Sequence, residues 1–367
     1  MAAMAKAVGV DLGERSYQVR VGAGLLDDLG AAAAAIEDVT SVVVLSETTV
    51  SRLYGRRAAD SLTAAGLDVS RIDFPAGEAH KTLATVCRVL DDLFAVEPPI
   101  DRSSLIVTLG GGVPGDLGGF VAAVALRGLR FLQCPTTLLA DVDASVGGKT
   151  AVDHPTGKNL IGAFHQPVGV LIDVETLRTL PRRELVAGLA ECVKHAVIRD
   201  AGLLEFIEDH AAELLACQAD VMAELIARNV EIKAAVVAAD EREAGERAHL
   251  NFGHTIGHAI EAFVGYGEIS HGEAVSLGMA AACRIAVRRG LIEAEPAERV
   301  ENLLREFGLP VRRNGLDFQP IWRIMQHDKK ALGGQVRMVL PVMLGAVAIF
   351  DDLTPRAVQD AVAYLNA

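Results

Sequence analysis

Cysteine is sparse and unpatterned in this chain: Cys87, Cys134, Cys192, Cys217 and Cys283 are odd in number and nowhere form a CxxC spacing. That excludes a disulfide framework and a thiolate zinc site, and it fits a reducing compartment, so the expected location is cytoplasmic. Positive charge is also short, with 35 Lys and Arg against 48 Asp and Glu and a formal charge of −13. Such a balance argues against a nucleic-acid or anionic-membrane partner, and any anion must meet a local basic cluster. Long apolar runs are missing as well. The N-terminus reaches Asp11 without a signal-peptide core, and AVSLGMAAAC at 274–283 is stopped by Arg284 far short of a membrane span. Aromatic residues make up only 4% of the chain, and Ala-rich periodic segments fill its second half, which favours helices there.

What is present suits about two domains with sizeable cores. From residue 17 to about 175, short apolar strands alternate with helical segments: SYQVRVG, SVVVLSE, DVSRIDF, SSLIVTL, FLQCP and VGVLIDV read as strands. The alternation predicts an α/β N-terminal domain with a mainly parallel, Rossmann-like sheet. Ligands of such sheets bind at the carboxyl ends of strands, where Glu47, Gly110 to Gly112 and Thr136 with Thr137 would gather. After LRTLPRRE, the segments 183–216, 219–243, 252–264, 271–289 and 295–307 read as helices. Only VRMVLPVMLGAVAIF near 336–350 looks extended again. The expected division is therefore an α/β domain over 1–178 and an all-α domain over 179–367.

Two glycine clusters stand on loops of the first half. Gly110, Gly112 and Gly115 match GxGxxG, and a backbone without Cβ atoms lets a pyrophosphate approach the helix end that follows. The acid expected about twenty residues on is absent, since Leu129, Arg130 and Phe131 stand there, so this is not the standard dinucleotide fingerprint. SVGGKT at 145–150 imitates the end of a P-loop, but the motif's first glycine falls on Asp143, and the nest that would wrap phosphates is missing.

The helical half carries a different chemistry. LNFGHTIGHAIE places His254, His258 and Glu261 on one helix face at i, i+4 and i+7, and His271 precedes another helix. Histidine pairs at this spacing, completed by a carboxylate, are a common catalytic zinc arrangement. The carboxylate can come from ELVAGLAECVKHAVIRD, where Glu191, Lys194 and His195 share a face of an apolar helix, although a purely structural Glu191–Lys194 pair reads equally from the spacing. Spacing alone does not choose between His258 and His271, nor does it exclude His195. Lys149, Lys158 and Arg247 are candidate anion ligands against so acidic a background, whereas Lys329 and Lys330 fit an ordinary solvated face as well.

Taken in order, GGGVPGDLGGFVAA, LRGLRFLQCPTTLLADVDASVGGKTAVDHPTGKNLIGAFHQP, LPRRELVAGLAECVKH, ADEREAGERAHLNFGHTIGHAIE, HGEAVSLGM and DKKALGG make the chain resemble the 3-dehydroquinate synthases, members of the sugar phosphate cyclases. The likeness runs from about residue 17 to 350. It implies a homodimer with an NAD-binding α/β domain, a helical domain and one divalent metal, zinc or cobalt. The metal ligands it implies are Glu191, His254 and His271, which leaves His258 on the substrate side. For NAD it implies Glu47, Glu78, Lys81, Gly111, Gly112, Asp116, Thr136 and Thr137. For a phosphorylated sugar acid it implies Asp143, Lys149, Asn159, Lys194, Lys233, Arg247, Asn251 and His258, with Lys158, one of Lys329 or Lys330, and Arg127 from a second subunit at the phosphate. Catalytic roles are implied for Lys149, Asn159, Lys194, Arg247 and His258, with Glu243 or His258 assisting if a protein base is used in place of the substrate phosphate. Pro114 and Asp153 depart from the family pattern off the assigned side chains, and Glu47 replaces a more usual Asp or Asn.

The reaction so implied converts 3-deoxy-D-arabino-heptulosonate 7-phosphate to 3-dehydroquinate and phosphate, in the shikimate route to aromatic amino acids. Transient oxidation of the ring by NAD acidifies the adjacent C–H, phosphate leaves by β-elimination, the hydride returns, and the ring opens and recloses as a carbocycle. A different sugar phosphate cyclase, which would alter the GGKT and GKN loops, and a net NAD-dependent polyol dehydrogenase of the same fold are the competing readings.

Overall fold

In the computed structural model of the chain, residues 5–241, 245–265, 267–330 and 336–366 are described, those at 327–330 by backbone alone. Short runs, most of them rich in β-branched and aliphatic residues, make nine strands of the first half. They are β1 (Lys6–Val10), β2 (Tyr17–Gly22), β3 (Ser41–Glu47), β4 (Asp68–Phe74), β5 (Leu105–Gly110), β6 (Arg130–Pro135), β7 (Lys149–His154), β8 (Gly157–Phe164) and β9 (Gly169–Asp173). Seven of them form one sheet in the order β1-β2-β9-β6-β5-β3-β4, in which only the β1–β2 pairing is antiparallel.

The sheet is covered on both faces, which is why its central strands are nearly continuous in apolar residues. On one face Val43, Leu45, Ile106 and Phe131 pack with Leu117, Phe120 and Val121. On the other, Val42, Val44, Leu105, Val107 and Leu132 pack with Ala58 and Leu62. The helices concerned are α1 (Arg56–Ala64), α2 (Leu83–Phe94), which adds Val86, Val89 and Leu93 to the first face, and α3 (Gly112–Val124). Beside β3, β4 lies on one flank and β5 on the other, so the connections diverge between β3 and β5 and leave a crevice at their carboxyl ends.

Contacts divide the chain into two units. The first comprises Met1–Leu180 together with Ala219–Ala238, and the second comprises Pro181–Gln218 together with Ala239–Ala367. The second unit opens with α4 (Arg182–Arg199), while α5 (Ala219–Ala239) counts almost entirely with the first. The remaining long helices, α6 (His254–Val264), α7 (His271–Arg288), α8 (Ala294–Glu306), α9 (Phe318–Lys330) and α10 (Pro355–Leu365), belong to the second unit.

Two departures from the sequence expectation stand out. The segment 183–216 is not one helix: Asp200 leaves helical geometry and caps Ala201–Asp209 by accepting from Leu203 N, and a further short helix begins at Ala211. The loops expected around Lys149 and Lys158 are instead the antiparallel hairpin β7–β8. The second unit is helical apart from one hairpin, β10 (Met338–Met343) and β11 (Ala346–Phe350), which lies where the sequence looks extended.

Helices α6 and α7 approach so closely that only glycine fits between them. A Cβ on Gly278 would lie 1.8 Å from the carbonyl oxygen of Gly253, and one on Gly257 would lie 2.7 Å from that of Ala274. Gly278→Ala is therefore expected to cost about 3 kcal/mol, the upper end of the usual overpacking range, measured by urea unfolding. Gly9→Ala, where a Cβ meets nothing within 4 Å, is the control and should stay within about 0.5 kcal/mol of the parent. A Gly278→Ala loss as small as the control's would contradict the packing described.

Candidate active site

The first unit gathers polar groups at the carboxyl ends of its parallel strands. β5 runs into Gly110, and Gly111 is the N-cap of α3 with no side chain capping it, so the first-turn N–H groups of the helix remain available to an anion. Pro114 sits inside that first turn, where its missing N–H breaks no helical bond. Its ring in turn demands Gly110 (φ 150), since a Cβ there would lie 2.5 Å from Pro114 Cγ. At the end of β3, Glu47 is buried, and its carboxylate accepts from Thr49 N at 2.7 Å and Val50 N at 2.8 Å, capping the helical turn Thr48–Val50. Thr136 and Thr137 follow β6, with Thr136 N donating to Gly110 O.

A buried lysine organises the next layer. Lys81 Nζ donates to Asp116 Oδ2 and to Asn159 Oδ1, both at 2.5 Å. Burial pushes the Asp116 carboxyl up to about 6 although Lys81 opposes it. Asn159 adopts a left-handed conformation (φ 57), and Asp153 Oδ1 accepts its N–H at 2.8 Å. Asp153 was absent from the sequence-based site, and an Asn held in the left-handed region is the feature that points to it. Asp143 lies in a π-helical turn (Ala140–Ala144), and its carboxylate and carbonyl both accept from Lys233 of α5. Glu78, Arg127, Lys149 and Lys158 are exposed. Arg127 (φ 67) and its predecessor Leu126 (φ 48) are both left-handed.

In the second unit α4, α6 and the first residue of α7 bring one carboxylate and three imidazoles together. Glu191 has no exposed surface, and neither of its oxygens has a hydrogen-bond partner. It forms an ion pair with Lys194 one turn along α4. Its Oε1 lies 3.5 Å from His254 Nε2 and 3.4 Å from His271 Nε2. His258 joins them, with donor atoms of His254, His258 and His271 all within 4.8 Å of one another. The backbone at His271 is set by a capping box in which Ser270 and Glu273 each bond the other's N–H.

Charge and burial oppose each other at Glu191, His254 and His271. Burial works against an ionised Glu191, but Lys194, His254 and His271 outweigh it and hold its carboxyl well below the usual range. Burial pushes His254 down to about 3, so its imidazole is neutral. Burial also disfavours a charged His271, yet the carboxylates of Glu191 and Glu261 prevail and hold it up to about 9. An orphaned buried carboxylate facing two Nε2 atoms is a donor set that fits a divalent cation such as zinc or cobalt.

Nearby, Arg247 is buried in the short helix Glu246–Asn251; its N–H donates to Asp240 Oδ2 at 3.1 Å and its Nη1 to Glu241 O at 2.6 Å. Asn251 and His258 are exposed, and His195 is buried. Glu243 and the side chains of Lys329 and Lys330 lie outside the described residues.

Fold and site together define a class: an enzyme with a nucleotide-binding type of parallel sheet in one unit and a helical unit whose side chains suit a divalent metal. Family models described as 3-dehydroquinate synthase N-terminal and C-terminal match residues 71–187 and 188–331. A 3-dehydroquinate synthase of Bordetella pertussis is 49% identical over 330 residues, covering 90% of this chain and 91% of that one. Among solved structures, a 2-epi-5-epi-valiolone synthase from Streptomyces hygroscopicus subsp. jinggangensis, with NAD+ and Zn2+ bound, aligns at a TM-score of 0.87 and 30% identity over 97% of this chain and 98% of that one. A 2-deoxy-scyllo-inosose synthase complexed with carbaglucose-6-phosphate, NAD+ and Co2+ aligns at 0.87 and 27% identity over 97% and 99%. The chain belongs to the 3-dehydroquinate synthase family.

Lys194 is the nearest cation to Glu191 and should be what keeps that carboxylate ionised in metal-free protein. Lys194→Met is expected to cost about 3–5 kcal/mol in urea unfolding of chelator-treated protein, because it strands a buried anion, while Lys194→Arg should retain most of the stability. A loss below about 1 kcal/mol for the methionine variant would show that the pair does not hold the charge.

Proposed function

We propose that this protein catalyses the 3-dehydroquinate synthase reaction, converting 3-deoxy-D-arabino-heptulosonate 7-phosphate to 3-dehydroquinate and phosphate with NAD and one divalent metal. The observation that carries the reading is the buried Glu191 facing His254 and His271 in a chain of this family. Glu191, His254 and His271 would hold the metal. Gly111 and Gly112 at the start of α3 would take the pyrophosphate, Glu47 a ribose hydroxyl, and Glu78, Lys81, Asp116, Thr136 and Thr137 the rest of the cofactor. When bound, NAD supplies reversible oxidation at one ring carbon, and the metal supplies Lewis acidity at the oxygen on it.

The chain's own residues bind and orient. Lys149, Lys158, Arg247 and one of Lys329 or Lys330 carry charge suited to the substrate's carboxylate and phosphate, and holding both ends of a charged sugar acid limits the geometries it samples. Asp143, Asn159, Lys194, Lys233, Asn251 and His258 offer hydrogen bonds to hydroxyls, and the Lys81 to Asn159 bond fixes where the amide points. A departing phosphate meets fixed cations, which favours its loss. If a protein group assists proton transfer, His258, which is exposed, or Glu243 would do so. The enzyme is read as a cytoplasmic homodimer in which Arg127 completes the phosphate site of a second copy.

Purified protein with NAD and Co2+ or Zn2+ should release phosphate from the heptulosonate without net NADH, followed in one assay by phosphate detection and absorbance; steady NADH accumulation would instead identify a dehydrogenase. Glu191→Ala should lose both bound metal and turnover, and stoichiometric metal in that variant would overturn the ligand assignment. Metal uptake should also depend on pH. His254 is neutral above about 3, whereas His271 keeps its proton up to about 9, so affinity should rise roughly tenfold per pH unit between about 6 and 9 and then level off. A flat titration over that interval would show that no proton leaves His271 when the metal binds.

A further inference from the structure

Glu261 has no place in the metal, cofactor or substrate set above, yet it is a carboxylate with only 5% of its surface exposed. It lies two turns along α6 from His254, and its Oε2 is 3.9 Å from Nδ1 of His271. The other nitrogen of the same ring, Nε2, is 3.4 Å from Glu191 Oε1. His271 is thus held between two carboxylates, one for each ring nitrogen, from α4 and from α6. An imidazole offers a lone pair to a metal from one nitrogen only, and the N–H on the other nitrogen then needs an acceptor.

We infer that Glu261 is the positioning residue for His271: its carboxylate takes the Nδ1 proton side of the ring and leaves Nε2 as the donor to a metal beside Glu191. The neighbouring imidazole is oriented by the same logic with a different acceptor, since His254 Nδ1 is 3.1 Å from Phe252 O and its Nε2 faces Glu191. His271 has more need of such a hold. Its backbone is fixed by the capping box, but its side chain is 31% exposed against 13% for His254, so less of its surroundings restrict the ring. The separation of 3.9 Å is that of an ion pair and longer than a hydrogen bond, so the role requires a small turn of the ring toward Glu261.

The role rests on the metal reading proposed above, and the test separates the two. Wild type, Glu261→Gln, Glu261→Ala and Glu191→Ala are stripped with chelator and titrated with Co2+ alone, against a competing chelator, while the visible spectrum is recorded. The wild type should bind one equivalent with ligand-field bands that Glu191→Ala abolishes. Glu261→Ala should bind about 10–100-fold more weakly with displaced bands, and Glu261→Gln, which keeps an acceptor but not the charge, about tenfold more weakly. A loss of unfolding temperature without change in affinity or bands would mean a structural role only and would overturn the inference. If Glu261→Ala does not fold, Glu261→Gln decides: affinity and bands equal to the wild type overturn the role, and weaker binding with displaced bands supports it. A wild type that takes up no Co2+ sensitive to Glu191→Ala would overturn the metal reading and this role together.

Discussion

A carboxylate with no exposed surface and no hydrogen bond is the constraint around which the helical unit is arranged. Left alone, the ionised Glu191 would be expensive to bury, and an unpaired anion in such surroundings would take a proton instead. Lys194 stands one turn away on the same helix, and His254 and His271 arrive from two others. Those two helices, α6 and α7, meet at Gly253, Gly257 and Gly278, where a Cβ would strike the neighbouring helix. Packing of the smallest residues thus sets the spacing of the most polar ones.

The first unit meets a comparable constraint with backbone instead of side chains. Its sheet is apolar on both faces, so chemistry is left to the strand ends, and the divergence of connections between β3 and β5 opens space there. The uncapped start of α3 and the buried Lys81, bridging Asp116 and Asn159, provide fixed dipoles and one fixed cation in a chain whose overall charge is −13. A local positive site in an acidic protein attracts a specific anion while the remaining surface repels polyanions.

Much of this was legible beforehand because it is local. Strands β2 to β6 and β9 stand where short β-branched runs end on glycine or polar residues, and α6 and α7 stand where Ala-rich periodic segments carry His254, His258 and His271. The elements that escaped owe their form to partners distant in sequence or to weak propensity. β7 follows two glycines and β8 carries Gly157 and Gly162, each strand with one lysine, so a reading that sees turn residues takes them for loops although they pair with each other. The break at Asp200 escaped because one cap is a single side chain inside an otherwise helical pattern.

The sequence by itself determined the chemistry available: which carboxylates, imidazoles and lysines exist, the helical spacing of His254 and His258, the glycines that must meet backbone, and membership of a family through motifs that run in order along the chain. Tertiary structure decided which of those groups face one another. Spacing along the chain did not choose between His258 and His271, and the approach of α7 and α4 to α6 is what sets Nε2 of both His254 and His271 against Glu191. Likewise α5 counts almost entirely with the first unit, where its Lys233 meets Asp143, ninety positions away in the chain. Periodicity reports what lies within a turn or a strand, whereas a buried charge selects its partners across the fold.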